Sequence, residues 1–243
     1  SYLKGQITEL LGNYGKIDLL WFDGFDEPPQ AISIAEIRAM QPGIVVNPRM
    51  HGYGDFLTPE VKVPEAPPAG WWELCDIWQS GEAWGYSSVH EAYKPAGWML
   101  SRLAKVRGWN GNYLINAAPN AEGEMPDSYY QRMDEVALWM RRNAEAVFGV
   151  SGACSWVECA VPVTACSEAC YLLLPPDHDG RIQLRITDTT RIQLFSPAVR
   201  MLSTAERVPF EYAEGTFLID VPSSLRTGLV DVIKISSSQS AST

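Results

Sequence analysis

IDLLWFDG, residues Ile17–Gly24, runs apolar for most of its length and then sets Asp23 between an aromatic residue and a glycine. An apolar run of this length, closed by glycine, reads as a strand over IDLLWF (17–22). AISIAEIRAM (31–40) has the character of a helix, and GIVVNPR (43–49) reads as the next strand. Strand, helix and strand at this spacing predict a parallel βα unit. After a long Pro- and Gly-rich stretch the alternation resumes. A helix is expected in KPAGWMLSRLAKVRGW (94–109), a strand in NYLINAAP (112–119) and a helix in DSYYQRMDEVALWMRRNAEAVF (127–148). In that last helix Asp127 reads as the N-cap, with Tyr130, Met133, Val136, Ala137 and Met140 as the buried stripe and MRRNAE (140–145) as a solvated face.

After Gly149 the pattern changes. ACYLLLPP, GRIQLRI, RIQLFSP, GTFLIDVP and GLVDVIKIS are short runs, several alternating in polarity, separated by turn-forming residues. They predict an antiparallel sheet or sandwich over residues 149–243, with a domain boundary at about 148–152 and a frayed tail, SSSQSAST.

In a parallel βα architecture the active site forms at the C-terminal ends of the strands, so polar residues just after an apolar run share one mouth. Asp23 stands there after IDLLWF, Asn47 and Arg49 after GIVV, and Asn116 after NYLI. From spacing alone two roles are open to Asp23: a cap on the following loop, or a group in that mouth. The segment 51–88 is too long for a simple connection, and long ordered loops on such scaffolds usually carry function. It holds Asp55, Glu60, Glu65, Glu73, Asp76 and Glu82 together with Trp71, Trp72, Trp78 and Trp84. Carboxylates among indoles suit a sugar site, where two acids cleave the glycosidic bond and aromatic faces cover the C–H face of the ring. Eight of the nine tryptophans precede residue 149, so the aromatic residues concentrate in this half.

The totals exclude several classes. A chain of 243 residues with 46% hydrophobic content can bury a real core, and a formal net charge of -10 leaves no basic face for nucleic acid or an anionic membrane. No run of about 18 apolar residues is present, so no membrane-spanning helix is expected. Phosphate-binding glycine loops and a G-x-S-x-G elbow are absent. His51, His90 and His178 lack metal spacing and read as structural or surface residues. Cys154, Cys159, Cys166 and Cys170 crowd one window with C-x4-C-x6-C-x3-C spacing, unlike common zinc sites, which leaves disulfides or free thiols; Cys75 stands alone. Ser1 leads directly into helical spacing at Leu3, Ile7, Leu10 and Leu11, without a signal-peptide pattern, and the chain reads as starting inside a longer sequence.

With these residues assembled, the chain resembles the C-terminal part of a glycoside hydrolase family 29 α-L-fucosidase. The matching stretches are LLGNYGKIDLLWFDG, VVNPR, GDFLTPE, WWELCDIWQSGEAWGY and NYLINAAPNAEGEMP, in the family's order. The resemblance implies a partial (β/α)8, TIM-type barrel over residues 1–148, lacking its N-terminal strands, followed by a β-sandwich over 149–243. It implies retaining hydrolysis of α-L-fucosides by double displacement, with Asp23 as nucleophile and Glu60 as acid/base, Glu73 being the alternative. Trp21, Arg49, Trp72 and Trp84 would line the sugar. The implied partner is a fucosylated oligosaccharide or glycoconjugate, with no cofactor and no metal. A secreted, periplasmic or lysosomal setting would follow, while oligomeric state stays open. Lacking the family's first strands, the chain alone is expected to have little activity. Two rival readings are a non-catalytic carbohydrate-binding protein and another retaining barrel glycosidase, acting on galactosides or xylosides.

Overall fold

The computed structural model describes residues 2–23, 31–49, 53–81, 83–89, 92–192, 194 and 196–237. Gly24, His51, Glu82, His90 and the tail 238–243 lie outside these. By compactness the chain divides into Ser1–Pro59 with Pro68–Glu73, and Glu60–Pro67 with Leu74–Thr243.

The first unit is a small α/β body. Helix α1 (Tyr2–Asn13) is followed by β1 (Leu19–Leu20), α2 (Ile34–Met40) and β2 (Val45–Val46). Strands β1 and β2 pair in parallel, Leu19 with Val45 and Leu20 with Val46, which is the βα unit expected from IDLLWF and GIVV, although the strands are shorter than those runs. Two residues of α1, Ile7 and Leu11, are buried with Leu20, Ile32, Ile37, Ile44 and Val46, whereas Leu3 and Leu10 face outward. Helix α2 starts where it does because Ser33 and Glu36 form a capping box: the Ser33 Oγ accepts from the Glu36 N–H and Glu36 Oε2 accepts from the Ser33 N–H. Such a cap contributes about 1 kcal/mol. Gln41, just past the helix, donates to the carbonyls of Leu11 and Gly15 and so ties α2 to the end of α1.

The second unit contains β3 (Glu73–Ile77) from its second residue on, α3 (Ala96–Gly108), β4 (Asn112–Asn116) and α4 (Asp127–Asn143). Nine strands follow: β5 (Ser151–Gly152), β6 (Val157–Cys159), β7 (Val163–Ala165), β8 (Ala169–Leu174), β9 (Arg181–Ile186), β10 (Pro197–Met201), β11 (Phe210–Ala213), β12 (Thr216–Asp220) and β13 (Asp231–Ser237). They form a five-stranded sheet in the order β10-β13-β8-β7-β5 and a four-stranded sheet in the order β11-β12-β9-β6. The described pairings within both are antiparallel.

The side-chain period of two explains the layers. Along β9, Ile182, Leu184 and Ile186 point inward and Arg181, Gln183 and Arg185 point to solvent. Strand β8 is buried throughout: Cys170, Leu172 and Leu174 enter the core between the sheets, and Ala169, Tyr171 and Leu173 pack into a second core. That second core is filled by Met99, Leu100 and Ala104 of α3, by Val136 and Trp139 of α4, and by Trp78 and Tyr93. The helices therefore cover the outer face of the five-stranded sheet, and the Trp139 indole N–H donates to the Val230 carbonyl.

Several expectations need correction. Pro126 is the N-cap of α4, and Asp127 is its first helical residue, where its charge still complements the helix dipole. Of the predicted stripe on α4, Val136 is buried and Met133 and Met140 pack against the same core, while Tyr130 is exposed; Trp139 and Asn143 are buried as well. Asn143, read as part of a solvated face, is buried and donates to the Trp139 carbonyl at 3.0 Å. The run RIQLFSP does not form the expected strand at its described residues before Pro197; the strand β10 begins there instead. All five cysteines are free thiols, with Cys75 and Cys170 buried; burial, then Cys166 and Cys159, push the Cys170 thiol up to about 12. No helix among the described residues is long and apolar enough to cross a membrane.

Strand β5 lies against the C-terminal end of α3, where Asn110 accepts from the Gly152 N–H at 2.7 Å and donates to its carbonyl at 3.2 Å. A Cβ on Gly152 would stand 2.3 Å from the Gly108 carbonyl oxygen, a collision with backbone that no rotamer relieves. Gly152→Ala is therefore expected to cost about 1–3 kcal/mol or more, measured as a lowered urea midpoint at unchanged m-value.

Candidate active site

Parallel pairing of β1 and β2 puts their C-terminal ends on one edge. Asp23 stands three residues beyond β1 and Arg49 three residues beyond β2, and the two side chains meet, Arg49 Nη1 donating to Asp23 Oδ1 at 2.8 Å. Arg49 is mostly buried and Asp23 is open to solvent, with side-chain exposures of 19% and 79%. The Arg49 guanidinium also lies over the Trp21 ring, 4.4 Å from its centroid. Stacked and ion-paired, Arg49 has little freedom and holds the Asp23 carboxylate in one orientation. The indole N–H of Trp21 is buried and has no partner among the described residues.

Two residues that the sequence offered only as polar positions prove to hold this edge in place. Asn47 is fully buried; its Oδ1 accepts from the Phe22 N–H and its Nδ2 donates to the Phe22 carbonyl, both at 2.8 Å. The peptide just before Asp23 is thereby pinned on both sides. Asp55, a candidate acid of the long loop, accepts from the Val46 N–H, from Arg38 and from the Tyr53 hydroxyl, each at 2.8 Å. Burial acts to raise the Asp55 carboxyl, but these three donors outweigh it and hold the carboxyl below its ordinary value.

The other candidates divide between the units. In the first, Glu73 is buried, with its N–H donating to the Leu57 carbonyl at 2.8 Å. Trp72 is buried at 3% exposure opposite Leu57, whereas Trp71 is 82% exposed, so of this pair Trp71 presents the open indole face. In the second, Glu60 is exposed and bridges to Cys75, and Trp84 is 42% exposed. Trp78 is core, edge-on to Tyr93 and Tyr129 with its N–H on the Lys94 carbonyl. Asp76 is fully buried and takes Arg102, the Tyr113 hydroxyl and the Ile77 N–H. Asn116, at the end of β4, has a buried Oδ1 without a partner among the described residues. His178 accepts from the Gly180 N–H at 3.2 Å within a turn. Among the described residues no cluster of His, Cys, Asp and Glu is arranged to hold a metal ion.

The strand edge thus carries a solvent-exposed carboxylate paired with an arginine that is stacked on an indole. The α-L-fucosidase family model matches residues 1–145. The chain belongs to the α-L-fucosidase family. Tissue α-L-fucosidase of Rattus norvegicus is 26% identical over 163 residues, covering 59% of this chain and 34% of the rat protein. α-L-Fucosidase isoenzyme 1 from Paenibacillus thiaminolyticus superposes with a TM-score of 0.77 at 25% identity, over 97% of this chain and 61% of its own. A family 29 α-L-fucosidase from Bacteroides thetaiotaomicron, solved as a covalent intermediate trapped with 2-fluoro-fucosyl fluoride, superposes at 0.72 with 18% identity, over 96% of this chain and 60% of its own. The chain thus spans about a third of the rat enzyme and about three fifths of the bacterial ones.

Asp55 links the strand edge of this fucosidase-family chain to pH. Its contribution is fully present above the ordinary carboxyl value of 3.8 and is lost as pH falls through the lower folded-state value. Asp55→Asn is expected to cost about 1–3 kcal/mol at pH 7, seen as faster amide exchange over residues 45–55. The gap between parent and variant should close as acid protonates the parent's carboxyl.

Proposed function

We propose that this chain carries the cleavage centre of a retaining α-L-fucosidase. The observation that carries the reading is Asp23 held by Arg49 at 2.8 Å, with Arg49 stacked on Trp21, at the edge of the parallel β1–β2 pair. An Asp23 carboxylate oxygen attacks the anomeric carbon from the face opposite the leaving group. The C–O bond to the leaving group breaks as a glutamic acid protonates that oxygen, giving a β-fucosyl ester of Asp23. The same glutamate, now a base, takes a proton from water, which attacks the anomeric carbon and releases Asp23 and α-L-fucose.

Glu60 is the first choice for that acid/base, since it is exposed on the long loop beside a strained backbone position. Glu73, buried at the start of β3, is the second. Trp21, Arg49 and Trp84 supply the sugar-facing surfaces, and Trp72 backs the loop from within. The substrate class is a terminal α-L-fucoside on a glycan.

The same reading assigns residues 1–148 to a portion of a (β/α)8 barrel and 149–243 to a β-sandwich domain. Supporting it are the parallel βα unit, the strand-helix order through α4, the family match ending at residue 145, and the two antiparallel sheets beyond it. Helices α3 and α4 share a core with the five-stranded sheet, which explains why compactness joins residues 74–148 to the sandwich.

The test is turnover of 4-nitrophenyl α-L-fucoside by this chain and by the full product of its gene. Asp23→Gly is expected to reduce kcat at least about a thousandfold. Azide should restore turnover of that variant with inversion, giving β-fucosyl azide. Alanine at the true acid/base should instead be rescued to α-fucosyl azide, because azide replaces water in the second displacement. Sugar binding without turnover in the full product, or turnover indifferent to Asp23, would overturn the reading.

A further inference from the structure

Within the second unit, Glu60 sits beside an unusual stretch of backbone. Val61 has φ 58°, in the left-handed region, and is the one β-branched residue among the described non-glycine positions with positive φ. A branched Cβ resists that conformation, so the surrounding contacts must impose it. The Val61 N–H donates to the Cys75 carbonyl at 2.8 Å, and its own carbonyl accepts from Arg102 Nη2. The Glu60 backbone is caught between these contacts: it bridges to Cys75, and its carbonyl accepts from the Lys62 N–H.

Arg102 is itself fixed from several sides. Its Nε donates to Asp76 Oδ2, and its guanidinium lies 4.7 Å from the centroid of the Trp98 ring. Asp76 is fully buried; its Oδ1 takes the Ile77 N–H at 2.9 Å and its Oδ2 the Tyr113 hydroxyl at 3.0 Å. Its oxygens are taken by donors from three sides, so the pair has little freedom to move. Arg102 is partly exposed, and its outer amino group ends on the residue after the candidate acid.

We propose that the Asp76–Arg102 pair is a positioning device for Glu60: by gripping the Val61 carbonyl it holds the loop in a strained turn and fixes where the Glu60 carboxyl points. Arg102 touches no substrate and acts through Glu60. The proposal rests on the reading of Glu60 as the acid/base.

The experiment compares two substrates in the full product of the gene. Phenyl α-L-fucoside needs a proton on its leaving oxygen, whereas α-L-fucosyl fluoride needs little acid assistance in the step that kcat/KM reports. Arg102→Lys keeps a charge beside Asp76 but loses the planar fork, and is expected to lower kcat/KM for the phenyl fucoside at least about tenfold while fluoride falls less than about threefold. Val61→Gly, which adopts the same φ without strain and leaves the buried pair intact, should give the same pattern with a smaller loss. In a Glu60→Ala background, Arg102→Lys should add less than about a twofold further loss. Equal losses on both substrates, or no loss from either variant where Glu60→Ala has lost acid-dependent turnover, would overturn the proposal and leave Glu60 as the acid. Intact turnover of phenyl fucoside by Glu60→Ala would sink the acid/base reading and the proposal with it. Should Arg102→Lys fail to fold, the Val61→Gly comparison decides.

Discussion

Strand β8 has no solvent face, and the second unit is organised around that fact. Its six residues alternate between two cores, one shared with the four-stranded sheet and one shared with α3 and α4. Fully burying a Leu side chain contributes about 1.5–3 kcal/mol, so Leu172, Leu173 and Leu174 in sequence anchor both layers at once. A sheet buried on both faces must have its helices docked before its outer side is dry. Helices α3 and α4 and the antiparallel sheets therefore form one body, with Trp139 and Arg107 supplying side-chain donors to carbonyls at the seam.

Within each unit the recurring device is a side chain that bonds backbone. In the first, Asn47 closes on the N–H and the carbonyl of Phe22 and Asp55 takes the Val46 N–H; in the second, Asp76 takes the Ile77 N–H and Arg102 grips the Val61 carbonyl. Short strands such as β1 and β2 have few ladder bonds of their own, and their ends would otherwise fray. The side chains of Asn47 and Asp55 supply bonds there that the short ladder lacks.

Much of this was legible in the chain itself. Apolar period and glycine punctuation located β1, α2, β2, α3, β4 and α4, and the alternation in GRIQLRI matched β9 residue for residue. Family motifs brought Asp23 and Arg49 forward together. What was missed has a physical pattern. Very short strands such as β5 and β7 carry too few residues to show a period, and the strand after Ile192 starts later than its apolar run suggests. On α4 the stripe through Met133, Val136 and Met140 does pack inward, but Tyr130 stays exposed and the burial of Trp139 and Asn143 depends on where the sheet lies.

The sequence by itself determined the local elements, the family and the residue types available for sugar chemistry, because period, caps and motifs depend on neighbours along the chain. Only the tertiary structure decided which acids are buried and which reach solvent. Asp55 and Asp76 look no different from Asp23 in a string of letters, yet one clamps a strand, one is sealed with Arg102, and Asp23 is exposed beside Arg49. Likewise Trp72 and Trp78 went to the interior while Trp71 and Trp84 kept exposed faces. The reason is that a carboxylate's or an indole's role follows from its solvation and its partners, and both are set by residues distant in sequence.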